Sequence, residues 1–336
     1  MNKINKVEIL DCTLRDGSYP LNFQFTSRDT NKISSNLEIA GIEYIEVGHG
    51  LGLGASQPKY GVAFESDEDY LLSSSKSVKK SNIGSFFIPG IGKIKNIKSC
   101  KEKGLNFLRI GVEPNNILSA IPYIEYCLTN KIQVFINIMK TYANSITNIK
   151  KQLDKLNNYD LKAIYVVDSS GCMFPNQVKN YVKELNKSKF AIGFHGHNNL
   201  NLANANCLAA IEAGATFVDS SLAGIGRSAG NAQTEVLSWL LSQNNYSKKY
   251  DVFEFFKIIE KNILPLNINL KNTELIDILL GISSFHSSFL PLFKRTIGKY
   301  DVDLFKLIYN VSKIDCINPS EKLIQSVAKD MVRTYE

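Results

Sequence analysis

Six cysteines are spread along the 336 residues with no C-x-x-C pair among them, which removes the common zinc and dithiol readings and makes a reducing cytoplasm the expectation. The chain also has no recognisable secretory signal and no apolar run of membrane-spanning length, so a membrane role is not expected. Nor does a nucleotide fingerprint appear. The Gly-rich segments 48–54 and 224–230 lack both a Walker Lys-Ser/Thr and the G-x-G-x-x-G spacing, and tight loops around a small substrate are the better reading. The net charge of +7 is not gathered on one element: Lys76, Lys79, Lys80, Lys93, Lys95, Lys98, Lys101 and Lys103 are dispersed. That pattern describes solvated helix faces, so nucleic acid is not an expected partner, while an anionic substrate or acidic partner stays open.

What is present is the composition of a globular protein, with 44% hydrophobic and 21% charged residues, and a length that suits one barrel of about 250 residues with a smaller unit attached. Eight short β-rich runs, at 7–10, 44–47, 84–88, 107–110, 134–138, 163–167, 191–194 and 216–218, alternate with amphipathic stretches. This alternation predicts a closed parallel (β/α)8 TIM barrel. One intervening helix starts at the Thr26 and Ser27 caps, carries Ile33, Leu37 and Ala40 on one face and stops at Gly41; a second runs through Leu200, Ala203, Cys207 and Ile211 to Gly214. The last four helical stretches, 253–263, 273–280, 303–311 and 320–332, come without strands between them. The expected organisation is therefore a catalytic barrel over 1–255 and a C-terminal helical domain over 256–336.

In a parallel barrel the active site is built where strands end, so polar residues directly after an apolar run are the candidates. The first run ends in Asp11-Cys12-Thr13-Leu14-Arg15-Asp16-Gly17, the second in Glu46-Val47-Gly48-His49-Gly50, the sixth in Asp168-Ser169-Ser170-Gly171 and the seventh in His195-Gly196-His197-Asn198-Asn199. Residues at i and i+2 of an extended segment point the same way about 6.5 Å apart, so His195 and His197 can converge on one ion. A carboxylate such as Asp16 would complete a set of two imidazoles and one carboxylate suited to Mn2+, Mg2+, Co2+ or Fe2+. Spacing alone leaves two structural histidines equally open. Only four histidines occur, His49, His195, His197 and His286, and three of them fall at inferred strand ends, which favours the ion. Cys12 and Cys172 lie near the same ends but read as small buried hydrophobes.

These motifs, together with Ala213-Gly214-Ala215-Thr216, Leu222-Ala223-Gly224, Gly230-Asn231-Ala232 and Ser287-Ser288-Phe289-Leu290, resemble the pyruvate-carboxylase and HMG-CoA-lyase-like barrel superfamily, and within it most nearly the 4-hydroxy-2-oxovalerate aldolases. The resemblance covers almost the whole chain. It implies a divalent-metal-dependent class II aldolase that joins or cleaves pyruvate and an aldehyde, with Mn2+ as the expected ion and Mg2+ or Co2+ as substitutes. By the same resemblance Asp16, His195 and His197 are the metal ligands, Arg15 stabilises the enolate, and Ser169 or Ser170 helps to bind the substrate carboxylate. Asn231 resembles an asparagine that binds the metal in the lyases, and here it is expected to support the ligands from behind. His49 is expected at the substrate, with a loop-holding role as its alternative.

The chain departs from the family in one linked pair of positions. The aldolases carry a histidine base two residues beyond the motif glycine, where this chain has Tyr19, and a tyrosine just before Ser-Ser-Phe-Leu, where this chain has His286. An ordinary tyrosine, with a pKa of about 10, is a poor base at neutral pH. The expectation is an exchange of roles, His286 serving as general base and Tyr19 as hydrogen-bond donor or proton relay.

Other readings stay open at this point. Lys140 follows the fifth run and could form a Schiff base; an acyl-CoA-dependent synthase or lyase shares the superfamily; and a non-catalytic barrel could regulate a partner. The resemblance also implies an acylating aldehyde dehydrogenase, or a second copy of the chain, as a partner of the helical domain.

Overall fold

The computed structural model describes residues 7–247, 249–268 and 274–333. Eight parallel strands close into a barrel in chain order: β1 Glu8–Asp11, β2 Tyr44–Glu46, β3 Asn82–Phe87, β4 Phe107–Val112, β5 Gln133–Ile138, β6 Ala163–Asp168, β7 Ile192–Gly196 and β8 Phe217–Ser220, with β8 pairing back onto β1. Each sits within two residues of its expected place. Helices α1 Ser27–Ile39, α2 Asp67–Ser77, α3 Ile94–Lys101, α4 Ile121–Thr129, α5 Ile146–Asp154, α6 Pro175–Leu185, α7 Ala203–Glu212 and α8 Thr234–Gln243 form the outer ring. The expected cap of α1 is present: Thr26 accepts from the Asp29 N–H, Asp29 returns to the Thr26 N–H, and Ile33 and Leu37 face the core. The outward residues of the strands, such as Ile9, Ile45, Leu108, Ile136 and Val166, are fully buried under these helices, which is why the strands read as continuous apolar runs.

The inside of the barrel has two layers. Tyr44, Phe107, Phe135 and Phe217 interlock as a floor, with ring centroids 5.5–5.8 Å apart and edges turned to faces. Two residues further along the same four strands stand Glu46, Arg109, Asn137 and Asp219, all buried. A period of two puts each polar residue on the same inward face as its aromatic, one layer nearer the C-terminal mouth.

Among the described residues five further α-helices follow: α9 Val252–Ile258, α10 Leu275–Ile282, α11 Leu290–Tyr300, α12 Leu304–Ser312 and α13 Glu321–Arg333. Residue 273, where one of them was expected to begin, lies outside the described residues. Phe255, Ile258 and Ile263 pack into the barrel's core, whereas Leu280, Phe285, Phe293, Leu307 and Ile324 build a separate core. Leu266 and Ile268 also pack against the barrel's core, so the packing of the first unit extends to Ile268. The helical unit lies across the mouth of the barrel: Asn199 Nδ2 donates to the Asp277 carbonyl at 2.9 Å and Ser170 Oγ to the Ser284 carbonyl at 3.2 Å. No single helix among the described residues is long and apolar enough to cross a membrane.

Candidate active site

Past β1 the chain turns sharply. Asp11 takes the Thr13 N–H at 2.9 Å and the Thr234 hydroxyl at 3.1 Å, and burial lifts its carboxyl to about 7, so it holds the turn that delivers Arg15 and Asp16. The Arg15 guanidinium is fastened on two sides: Nε donates to Glu46 Oε2 and Nη1 to Asp16 Oδ1, both at 2.7 Å, while Phe86 lies 4.9 Å beneath. Glu46 and Asp16 thus take two of its nitrogens.

Asp16, His195 and His197 are all buried, and their ligand atoms lie within 4.8 Å of one another. His195 Nδ1–H donates to Asp219 Oδ2 at 2.8 Å and His197 Nδ1–H to the Gly230 carbonyl at 3.1 Å. Each Nε2 is then left as a lone-pair donor, in the way carboxylates and carbonyls orient metal-binding imidazoles. Burial would raise the Asp16 carboxyl, but Arg15, with His197 and His195, holds it well below the usual carboxylate range. Burial pulls His197 down to about 4 against the opposing pull of Asp16. Both groups are therefore in their ligating forms at neutral pH.

Two further observations fit a divalent cation here. Asn231 Nδ2 donates to Asp16 Oδ2 at 2.8 Å and to the Ile225 carbonyl at 3.0 Å, while its Oδ1 is buried without a hydrogen-bond partner; an orphaned buried oxygen beside a carboxylate suits a cation. The buried charges also leave a deficit, since Asp16, Glu46 and Asp219 stand against Arg15 and Arg109, three negative charges to two positive. A Cβ at Gly226 would come within 2.1 Å of Asn231 Nδ2 and 2.7 Å of Asp16 Oδ2, so the glycine keeps this approach clear. The mixture of carboxylate, imidazole and amide oxygen suits a divalent cation.

Tyr19, on the short 3-10 turn Asp16–Leu21, lies against Gly50, where a Cβ would stand 2.4 Å from its ring. Burial raises its phenol above the ordinary value despite the Arg227 charge beside it, which leaves it a donor at neutral pH. His286 enters from the helical unit. Its Nδ1 lies 2.7 Å from Ser288 Oγ, and burial, aided by Arg227, His197 and Lys140, holds its imidazole well below the usual histidine range.

His49 is not brought to this cluster. Its ring stacks on Phe23 at 3.9 Å, Nδ1 accepts the Leu51 N–H at 3.1 Å and Nε2–H donates to the Gly61 carbonyl at 3.2 Å. Both nitrogens are spent on backbone, which corrects the expected substrate contact in favour of loop holding. Ser169 Oγ accepts the Lys140 N–H at 2.9 Å, and Ser170 Oγ is bonded to the Tyr142 hydroxyl. Lys140 Nζ is engaged by Glu113 at 3.3 Å and Asn318 at 3.2 Å rather than free to attack a carbonyl.

Three contributors escaped sequence reasoning. Arg109, fully buried, donates to Asn137 Oδ1 at 3.3 Å, Glu46 Oε2 at 3.1 Å and Asp219 Oδ2 at 2.5 Å, with the Tyr165 ring 4.4 Å away. It ties the carboxylate that grips Arg15 to the one that aims His195. Asp219 directly follows the expected eighth run, so the rule applied to the other strand ends would have found it. Arg227 lies in a Gly-rich loop whose neighbours only the fold reveals.

The HMGL-like family model matches residues 6–261. The chain is 34% identical to 4-hydroxy-2-oxovalerate aldolase 2 of Rhodococcus jostii (strain RHA1), with 98% of this chain and 97% of that one covered, and 32% identical to 4-hydroxy-2-oxovalerate aldolase of Carboxydothermus hydrogenoformans, with 97% of each covered. Among solved structures, the N-terminal domain of a Bacteroides vulgatus protein described as a candidate aldolase superposes with a TM-score of 0.75 at 25% identity, covering 88% of this chain and 98% of that one. The carboxyl transferase domain of Rhizobium etli pyruvate carboxylase shares the fold at a TM-score of 0.79 and 15% identity, covering 99% of this chain and 61% of that one. With its barrel, its strand-end motifs and full-length relatives of this kind, the chain belongs to the HMGL-like family.

Proposed function

We propose that this protein is a class II oxo-acid aldolase that joins pyruvate to an aldehyde, or cleaves the 4-hydroxy-2-oxo acid they form. The convergence of Asp16, His195 and His197 beside the guanidinium of Arg15 carries this reading. In it those three side chains hold a divalent ion, Mn2+ by preference, with Asn231 behind them. When bound, such an ion acts as a Lewis acid toward the carboxylate and 2-oxo group of the substrate.

The chain's own groups then divide the work. Arg15 holds a fixed positive charge where the enolate oxygen develops its negative charge, and its two carboxylate anchors prevent it from moving away. His286, whose Nδ1 accepts the Ser288 N–H at 3.4 Å, takes the 4-hydroxyl proton in cleavage and returns it in synthesis. The C3–C4 electron pair passes into the 2-oxo group as the enolate forms. Tyr19, protonated, donates a hydrogen bond to the aldehyde oxygen, and Ser169 binds the pyruvate carboxylate. We further place the protein in the cytoplasm, with an aldehyde-consuming dehydrogenase or a second copy of the chain as the partner of its helical domain.

Chelation tests the carrying observation. EDTA is expected to abolish both aldol cleavage and exchange of the pyruvate C3 protons, and Mn2+ to restore them; activity that survives EDTA but is lost to borohydride in the presence of pyruvate would transfer the chemistry to Lys140. His286→Asn is expected to slow cleavage by about 10²–10⁴-fold and to change the pH profile of kcat, and an unaltered rate removes the base assignment.

A further inference from the structure

Three arginines surround the proposed site, and they are not neutralised alike. Arg15 and Arg109 each pair with two carboxylates. Arg227, half-buried on the loop after β8, spends Nε on Ser287 Oγ at 2.8 Å and Nη1 on the Tyr19 hydroxyl at 3.2 Å, with its guanidinium carbon 4.9 Å from the Tyr19 ring centroid. Both partners are neutral, and among the described residues no carboxylate side chain pairs with this guanidinium. The backbone N–H of Arg227 donates to Asp16 Oδ2 at 3.3 Å, which ties the loop to the metal-site carboxylate. Ser287, the other anchor, is next to His286.

A partly desolvated cation satisfied only by neutral acceptors has given up hydration without a counter-charge. The two hydrogen bonds and the ring contact fix the guanidinium plane, so its remaining edge is pre-set to grip an anion in bidentate fashion at little further entropic cost. Gly226 and Ser228, the chain neighbours of Arg227, line a cavity of about 720 Å³ between this loop and the helical unit, together with Asn231 and Lys294 and with Glu274 and Asp277.

We propose that the aldehyde substrate carries an anionic group, carboxylate or phosphate, remote from its carbonyl, and that Arg227 binds that group while Tyr19 and His286 attend the reacting end. This rests on the aldolase reading, so the test separates the two. Exchange of the pyruvate C3 protons by the Mn2+-loaded full-length protein needs no aldehyde and reports on the aldolase reading alone; its absence overturns that reading and this one with it. With exchange established, kcat/KM for succinic semialdehyde and glyceraldehyde 3-phosphate is compared with that for butanal. A preference of about 10²-fold for an anionic aldehyde is expected, and the preferred member of the charged pair identifies the anion. Arg227→Met is expected to remove most of the preference through KM for the aldehyde, and Arg227→Lys to recover part of it. Equal use of charged and neutral aldehydes by the unaltered protein overturns the proposal. So does an Arg227→Met loss that is the same for all three aldehydes, which would mark a structural clamp, or one that falls on KM for pyruvate.

Discussion

The two layers inside the barrel are made by the same four strands and differ by two residues in each, yet they are held by opposite means. In the floor, Tyr44, Phe107, Phe135 and Phe217 bury area and pair edge to face, so their contribution is spread over many weak contacts. In the layer above, Glu46, Arg109 and Asp219 are just as deeply buried but each depends on a named partner. Desolvating charges costs several kcal/mol per ion, and the attraction between partners offsets that only while all of them are in place. Apolar packing supports the fold, while the charged layer fixes Arg15 and His195 in the attitudes the site needs.

The largest break in that comparison is Arg109→Met, which removes the cation between Glu46 and Asp219 at similar volume. Unfolding in urea is expected to show a loss of about 3–5 kcal/mol. Adding Asp219→Asn to it should cost less than the two single losses combined, because the charge left stranded by the first change is then removed. Alone, Asp219→Asn is expected to weaken Mn2+ binding about 10–100-fold, measured by calorimetric titration, since His195 loses the carboxylate that sets its tautomer. Phe135→Leu sharpens the contrast from the other side. It should lower stability by about 1–3 kcal/mol and leave Mn2+ affinity unaltered; a change in affinity would mean the floor also positions the ligands.

The same contrast explains what was legible in the chain. Strands announce themselves because both faces are buried, and the His195-Gly196-His197 spacing needs no tertiary information to align two imidazoles. Asp16 is carried by a motif at a strand end. Arg109 was visible only as a charge within the apolar run Phe107–Val112; that it must be paired follows from its burial, but its partners come from β2 and β8, and register across a closed barrel is not written in one strand. Arg227 contacts Tyr19 and Ser287, 208 and 60 residues away, so its role depends on how the helical unit sits over the mouth. His49 misled for a related reason: it follows a strand as active-site residues do, but the fold turns both its nitrogens to backbone.

His49 supplies the smallest test, and it separates burial by pairing from burial by neutrality. The residue is 1% exposed, and among the described residues no carboxylate pairs with it. Burial outweighs its bonds to the loop carbonyls and lowers its pKa from 6.5 to about 4. The folded-state value lies below the unfolded one, so between pH 6.5 and 4 the unfolded chain binds a proton that the folded chain refuses, and stability falls as pH falls through that window. At pH 5 the loss relative to pH 7.5 is about 1–2 kcal/mol. His49→Phe keeps the stack on Phe23 but gives up the Leu51 and Gly61 bonds, so the variant starts lower at pH 7.5 and loses less on acidification. His197 carries a depression of its own in both proteins and cancels in the difference, provided both are measured in EDTA. Urea titrations at pH 7.5 and 5 should show the gap between the two closing by that amount; a gap that stays constant would mean the His49 ring titrates alike in the folded and unfolded chain, and one that widens would mean the loop holds it charged by attraction.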